Sequence, residues 1–200
     1  MPRTPEANER IRRATRERII AAAMDTFMDK GYHAASIDDV ARAAKVSKGL
    51  LYHYVEGKED LLAALVDRRI DELLAVMRAA AAHEDPAAGL RHIVEGALDN
   101  VRRRPEVFRF YLNLSTQPRL DPVVAAHAGR LNAAYAEQFE VQTRLFEQLG
   151  IDNARERSLY FSSTLQGIML LYSTYPEGYP LDAIKAHVIA EFRGEAPSSG

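Results

Sequence analysis

Apolar residues recur at helical spacing along nearly the whole chain. Ile20, Ala23, Met24 and Phe27 make one such stripe within "ERIRRATRERIIAAAMDTFMDKGY", and Gly31 predicts its C-terminal end. Residues 1 to about 9, with Pro2 and Pro5, predict a loose tail ahead of it. Ser36, with Asp39 three residues on, predicts a capped start for "IDDVARAA", which stops near Lys45. Ser47 caps a second short helix, "KGLLYHYV", and "EGK" breaks it. Leu62, Leu65, Val66, Leu73 and Met77 then form the apolar stripe of a long helix from about Lys58 to Ala82.

The second half repeats one kind of start. Asp85-Pro86 and Asp121-Pro122 each set a capping aspartate before a proline at the first helical position. They predict helices from Pro86 to about Arg104 and from Pro122 to Leu149, the latter closed by Gly150. Pro105 ends the first, about Glu106 to Ser115 forms a shorter helix, and "TQPRLDP" is a loop. Asp152 is expected to cap a helix reaching about Tyr175; "PEGYP" is a turn, and Leu181 to Arg193 is the last helix. The end, "GEAPSSG" (194–200), predicts a disordered tail. No strand-like alternation appears, so the fold class is all-α, with about nine helices: four short or basic ones, then five longer ones.

Composition narrows the picture. The 200 residues suffice to bury a real core. No run of about 18 apolar residues predicts a membrane span, and no apolar run behind the Arg-rich start predicts a secretory signal. Cysteine is absent, which excludes disulfides and thiolate metal sites and fits a cytoplasmic protein. The net charge of -2 hides an asymmetry. Met1 to Lys58 holds 11 Lys and Arg against 8 Asp and Glu, a net of +3; the remainder holds 15 against 20, a net of -5. A basic head on an acidic body points the head at a polyanion, although an unevenly charged solvated surface has the same composition.

The stretch "SIDDVARAAKVSKGLLYHYV" (36–55) gives the head a chemistry. Ile37, Val40 and Ala41 face inward on its first helix, Val46 sits in the turn, and Leu51 and Val55 face inward on its second. Small Ala41 allows a close crossing, and a turn this short between two short helices is the helix-turn-helix arrangement. The second helix fits a DNA major groove and leaves Lys48, Gly49, Leu50, Tyr52, His53 and Tyr54 on its outer face. Lys48 can meet phosphate or guanine, Gly49 permits close approach, Leu50 can touch a thymine methyl, and Tyr and His can donate hydrogen bonds. Lys58, at the start of the next helix, combines an ammonium with backbone N–H groups suited to phosphate. The expected DNA-binding set is Ser36, Lys45, Ser47, Lys48, Gly49, Leu50, Tyr52, His53, Tyr54 and Lys58.

With these residues in view, "RERIIAAAMDTFMDKGYHAASIDDVARAAKVSKGLLYHYVEGKEDLL" resembles the N-terminal domain of the TetR family of bacterial transcriptional regulators. The resemblance implies that Tyr52 and Lys58 hold phosphates and that Lys48, Gly49, Leu50 and His53 lie near base edges. It implies a homodimer through the last two long helices and a helical regulatory domain with an effector pocket. The expected division is 1–57 for the arm and DNA-binding domain, 58–193 for the ligand-binding and dimerisation domain, and the tail. Two residues depart from the family pattern. Lys45 stands where glycine is usual in the turn, which costs on the order of 1 kcal/mol if φ is positive. Leu50 stands where threonine is common, replacing a polar contact with an apolar one.

The rest of the chain shows no phosphate-binding loop, nucleophile elbow or metal-ligand cluster, so catalytic, metal and cofactor assignments are none, and no enzyme is expected. His92 and Glu95 form one H-x-x-E pair, read as structural or solvated; His83, His127 and His187 read as isolated. "SLYFSSTLQGIMLLYSTY" is apolar on more than one face, with Ser162, Ser163 and Gly167 small enough for close helix approach. Such a helix fits a subunit interface or the centre of its own bundle. Candidate pocket residues are Phe108, Tyr111, Tyr135, Gln138, Phe139 and Gln142, with Tyr160, Gln166 and Met169 opposite; ordinary core packing accounts for each singly. The expected protein is a homodimeric regulator on a palindromic double-stranded operator, a repressor released by an unknown small-molecule effector, with no membrane partner. Control by a protein partner without a small ligand is the alternative reading, and an all-helical enzyme a weaker one.

Overall fold

The computed structural model describes residues 4–116 and 121–193. Among them are nine α-helices and no strand: α1 (Pro5–Lys30), α2 (Ile37–Ala43), α3 (Lys48–Tyr52), α4 (Lys58–Ala81), α5 (Pro86–Arg103), α6 (Pro105–Thr116), α7 (Pro122–Gln148), α8 (Ala154–Thr174) and α9 (Leu181–Glu191). The chain divides into two compact units, Met1–Arg68 and Arg69–Gly200, and the division falls inside α4. The expected tail at 194–200 lies outside the described residues.

Helix starts follow the caps. Ser36 and Asp39 form a reciprocal capping box: the Ser36 hydroxyl accepts from Asp39 N–H at 3.2 Å, and Asp39 accepts from Ser36 N–H at 3.1 Å. Asp85 and Asp121 cap α5 and α7, each with proline directly after. Two starts differ from expectation. The stretch read as a loose tail is helical from Pro5, because Thr4 accepts from Ala7 N–H and proline presets the first helical φ. Asp152 does not cap α8; it lies in the turn after Gly150 (φ 75°), and Asn153 precedes the helix without a side-chain cap. The second short helix also ends sooner, at Tyr52 rather than Val55, as His53 and Tyr54 bond carbonyls three residues back.

The first unit closes over Ile19, Ile20, Ala23, Phe27, Val40, Leu51, Leu61, Leu62 and Val66, all at most 2 % exposed. The turn between α2 and α3 is a Schellman closure: Lys45 N–H bonds Arg42 O at 3.1 Å and Val46 N–H bonds Ala41 O at 3.0 Å. Lys45 occupies its left-handed position with φ 53°. A lysine there is strained relative to glycine, as the sequence implies.

The second unit is a helical layer around three aromatic rings. Phe146 lies 5.8 Å from Phe161, and Phe161 lies 4.8 Å from Phe192, both edge to face. Leu90, Ile93, Val94, Leu98, Leu145 and Leu165 complete this core. Gly89 lets the start of α5 approach the end of α4 closely: a Cβ there would stand 2.6 Å from the Ala80 carbonyl oxygen.

Candidate nucleic-acid interface

The orientation of α3 follows from two buried residues. Leu51 and Val55 are held in the core, which turns Lys48, Gly49, Leu50, Tyr52 and His53 outward. Leu50 and Tyr52 are large apolar side chains left 39 % and 47 % exposed. Nothing lies within 4 Å of where a Cβ on Gly49 would stand, so the front of the helix is open. Tyr54 is half-buried, between the core and the surface. The two expected serines are used as caps: Ser47 accepts from Leu50 N–H at 3.1 Å, and Ser36 closes the box described above. Both therefore fix where the helices start.

Charged groups around α2 and α3 are ordered by ion pairs. Asp39 accepts from Lys30 at 2.8 Å, from the Ser36 hydroxyl at 2.7 Å and from Arg42 at 3.3 Å. The Lys30 ammonium, then the Ser36 bonds, hold its carboxyl well below the usual range. Lys48 pairs with the Asp38 carboxylate at 2.8 Å, and that hydrogen bond raises the lysine pKa above its ordinary value. Lys45 is exposed. Lys58 is half-buried and donates to His33 O at 3.0 Å and Ala35 O at 3.1 Å, with its ammonium 4.7 Å from the Tyr32 ring centre. Two of its three N–H groups are thus committed to the loop between α1 and α2. The sequence reading missed this loop partner and Asp38. The bonds join residues 23 and 25 positions apart, and local spacing carries no signal for that.

The expected pocket residues divide. Tyr111 and Gln142 are buried; Phe108, Tyr135, Gln138, Phe139 and Met169 are half-buried. Tyr160 and Gln166 are exposed on α8, so these two face away from the interior the sequence reading gave them. They turn outward because Phe161, Ser162 and Leu165 take the inward positions. Gln142 Oε1 accepts from Ser162 at 2.6 Å and Ser158 at 3.2 Å, while its buried Nε2 has no hydrogen-bond partner among the described residues. An open hollow of about 480 Å³ lies beside α7 and the start of α8, lined by Thr143, Glu147, Arg155 and Leu159 among others. Phe139, one of the nine expected residues, borders a smaller hollow of about 80 Å³ nearby. His83, read as isolated, and His92, of the H-x-x-E pair, stand with ring centres 5.5 Å apart. Among the described residues no group of three metal-ligating side chains occurs, and no helix is long and apolar enough to cross a membrane.

The family model for bacterial regulatory proteins of the tetR family matches residues 19–65. The HTH-type transcriptional activator FasR of Mycolicibacterium smegmatis is 33 % identical over 108 residues, covering 52 % of this chain and 49 % of FasR. The chain thus spans about half the length of that relative. The HTH-type transcriptional regulator BetI 2 of Chromohalobacter salexigens is 28 % identical over 182 residues, covering 88 % of this chain and 84 % of BetI 2. The crystal structure of the transcriptional regulator FadR from Bacillus subtilis, in complex with stearoyl-CoA, superposes with a TM-score of 0.70. It is 17 % identical, covers 87 % of this chain and 95 % of its own, and shows likeness of fold.

Proposed function

Since the chain belongs to the tetR family of bacterial regulatory proteins, DNA-binding transcriptional regulators, we propose that it is a cytoplasmic homodimeric repressor released from a palindromic operator by a small-molecule effector. One observation carries the DNA-binding half of this reading. Burial of Leu51 and Val55 turns Lys48, Gly49, Leu50, Tyr52 and His53 outward on a helix short enough for a major groove. Lys48, Leu50 and His53 are the base-edge group, Tyr52 and Lys58 the phosphate group, and Lys45 an added cation. Ser36 and Ser47 support them through the helix starts.

The dimer reading rests on α8. Leu159, Tyr160, Leu170 and Leu171 are 44–50 % exposed on it, Tyr175 directly after it is 67 % exposed, and exposed Ser163 and Gly167 allow a close neighbour. An apolar face of that extent on a helix calls for a covering partner. To read successive major grooves, two copies must present their α3 helices about 34 Å or a multiple apart.

Effector control draws support from FadR, whose structure holds stearoyl-CoA, which makes long-chain acyl-CoA the first ligand to try. Gln142, buried with an unpaired amide nitrogen, is the polar group within the second unit to which a ligand carbonyl would bind. Transmission would run through α4, which contributes residues to both units. The ligand shifts operator affinity only as far as it prefers one arrangement of the protein over the other. A second reading, control by a protein partner, is favoured by the filled core around Phe146, Phe161 and Phe192.

Footprinting of the purified protein on the DNA upstream of its own gene tests the reading. A protected palindrome with half-sites one or two helical turns apart is expected. Repeating it with stearoyl-CoA separates the two modes of control: lost protection supports an acyl-CoA effector, and unchanged protection rejects it. Absence of protection anywhere, at low ionic strength, overturns the DNA-binding reading.

A further inference from the structure

The cations near the outward face of α3 have unlike surroundings. Lys45 has no ion-pair partner among the described residues, and Lys58 is tied to two carbonyl oxygens. Lys48, the first residue of α3, is held by Asp38 of α2 at 2.8 Å. The two neighbouring aspartates differ in the same way. Asp39 is surrounded by Lys30, Arg42 and Ser36, and its side chain is 16 % exposed. Asp38 is 55 % exposed with Lys48 as its ion-pair partner, and Lys48 is 56 % exposed. A carboxylate thus stands on the very surface that meets a polyanion.

We propose that Asp38 determines sequence discrimination, by holding the Lys48 ammonium toward base edges and away from the phosphate backbone. This rests on the reading of α3 as the recognition helix. An ammonium that swings to a phosphate releases a counterion and strengthens binding to every sequence alike. Held by a carboxylate, it adds nothing to that term, and the carboxylate repels nearby phosphates. Lys48 has three N–H groups. One satisfies Asp38, and two are left for acceptors such as the O6 and N7 of a guanine. A matched site keeps the ion pair and gains base contacts; backbone binding at an unmatched site must break it. The pair acts on discrimination through this difference, because an exposed ion pair adds little to folding stability.

The test uses Asp38→Asn, which keeps the size of the side chain at an exposed position, with thermal unfolding as the check on folding. The probes are a duplex selected by the wild-type protein from a random-sequence library and a scrambled duplex of the same composition. Anisotropy titrations over a potassium chloride series give affinity and salt slope for each. Binding of D38N to the scrambled duplex should rise about 2- to 5-fold, with the slope steeper by about 0.9. The ratio of selected to scrambled affinity should fall. In a Lys48→Ala background the same change should have little effect. Unaltered ratio and slope overturn the proposal, as does a full effect in the K48A background, which would leave Asp38 acting on phosphates without Lys48. Loss of affinity for the selected duplex alone would make Asp38 a base reader, and also overturns it. A wild-type protein that retains no duplex defeats the DNA-binding reading, and this proposal with it; a wild type that binds alongside an indistinguishable D38N defeats only this proposal.

Discussion

Lys58 and Ala35 are joined by a 3.1 Å hydrogen bond from ammonium to carbonyl oxygen, which ties the start of α4 to the residue before the α2 cap. With the companion bond to His33 and the Tyr32 ring beneath, the lysine fastens the loop on which Ser36 sits. Lys58→Met leaves two carbonyls without that donor and should lower stability by about 1–3 kcal/mol, read as a urea midpoint shift. Its third N–H remains available to a phosphate, so the salt slope of DNA binding should also drop by about 0.9. Lost stability with an unchanged slope would confine Lys58 to the loop.

Lys45 carries a left-handed backbone at φ 53°. Lys45→Gly relieves that strain and should raise stability by roughly 0.5–1 kcal/mol, after the greater entropy of glycine in the unfolded chain is set against it. The check is calorimetric Tm. Lys45→Val, branched at Cβ, should lower Tm instead. A glycine variant no more stable than the wild type would mean that the strain at Lys45 does not exceed the entropic cost of glycine.

Asp39 makes the stability of the first unit sensitive to acid. Its folded pKa lies below the ordinary carboxylate value, through Lys30 first and Ser36 next. Below pH ~4 the unfolded chain therefore binds more protons at this site than the folded one. The contribution is fully present above pH ~4 and drains away as pH falls further. Urea midpoints at pH 3, 5 and 7 should show a steeper acid loss for the wild type than for Asp39→Asn. Parallel acid limbs would refute the assignment.

At Gly89 the added methyl of alanine meets a backbone oxygen, at 2.6 Å from Ala80 O, and backbone cannot rotate aside. Gly89→Ala should cost about 1–3 kcal/mol, measured by thermal melting. Gly129→Ala, on α7 with nothing within 4 Å of its added methyl, is the control and should leave the melt unchanged or slightly raised.

Leu171 is half exposed on α8 beside Leu170. Leu171→Glu should produce monomers in light scattering without altering far-UV circular dichroism, because the residue is not part of the subunit core. DNA affinity should fall with it. A wild-type protein that is monomeric at micromolar concentration removes the interface from consideration.

Elements with local signals could be read from the sequence. The Asp-Pro starts of α5 and α7, the box at Ser36 and Asp39 and the glycine at residue 31 all act within four residues, and all are realised. The outward set on α3 was legible because Leu51 and Val55 name the buried side. Signals were misread where one residue type serves two ends: Pro5 starts a helix as readily as it marks a tail, and Asp152 can belong to a turn as well as to a cap. The interior of the second unit was least legible. Whether Tyr160 looks in or out depends on the helices that claim Phe161 and Leu165, and several faces of α8 are apolar alike.

The brevity of α3, five residues closed off at His53, sets a limit on information. A stub of that length can interrogate only about four base pairs, and a word so short recurs by chance throughout any chromosome, among ~10⁶ competing positions. Read once, it is no address. In the proposed dimer the word would be read twice at a fixed separation, about eight base pairs in all, which makes a chance match about 250-fold rarer than a single reading does.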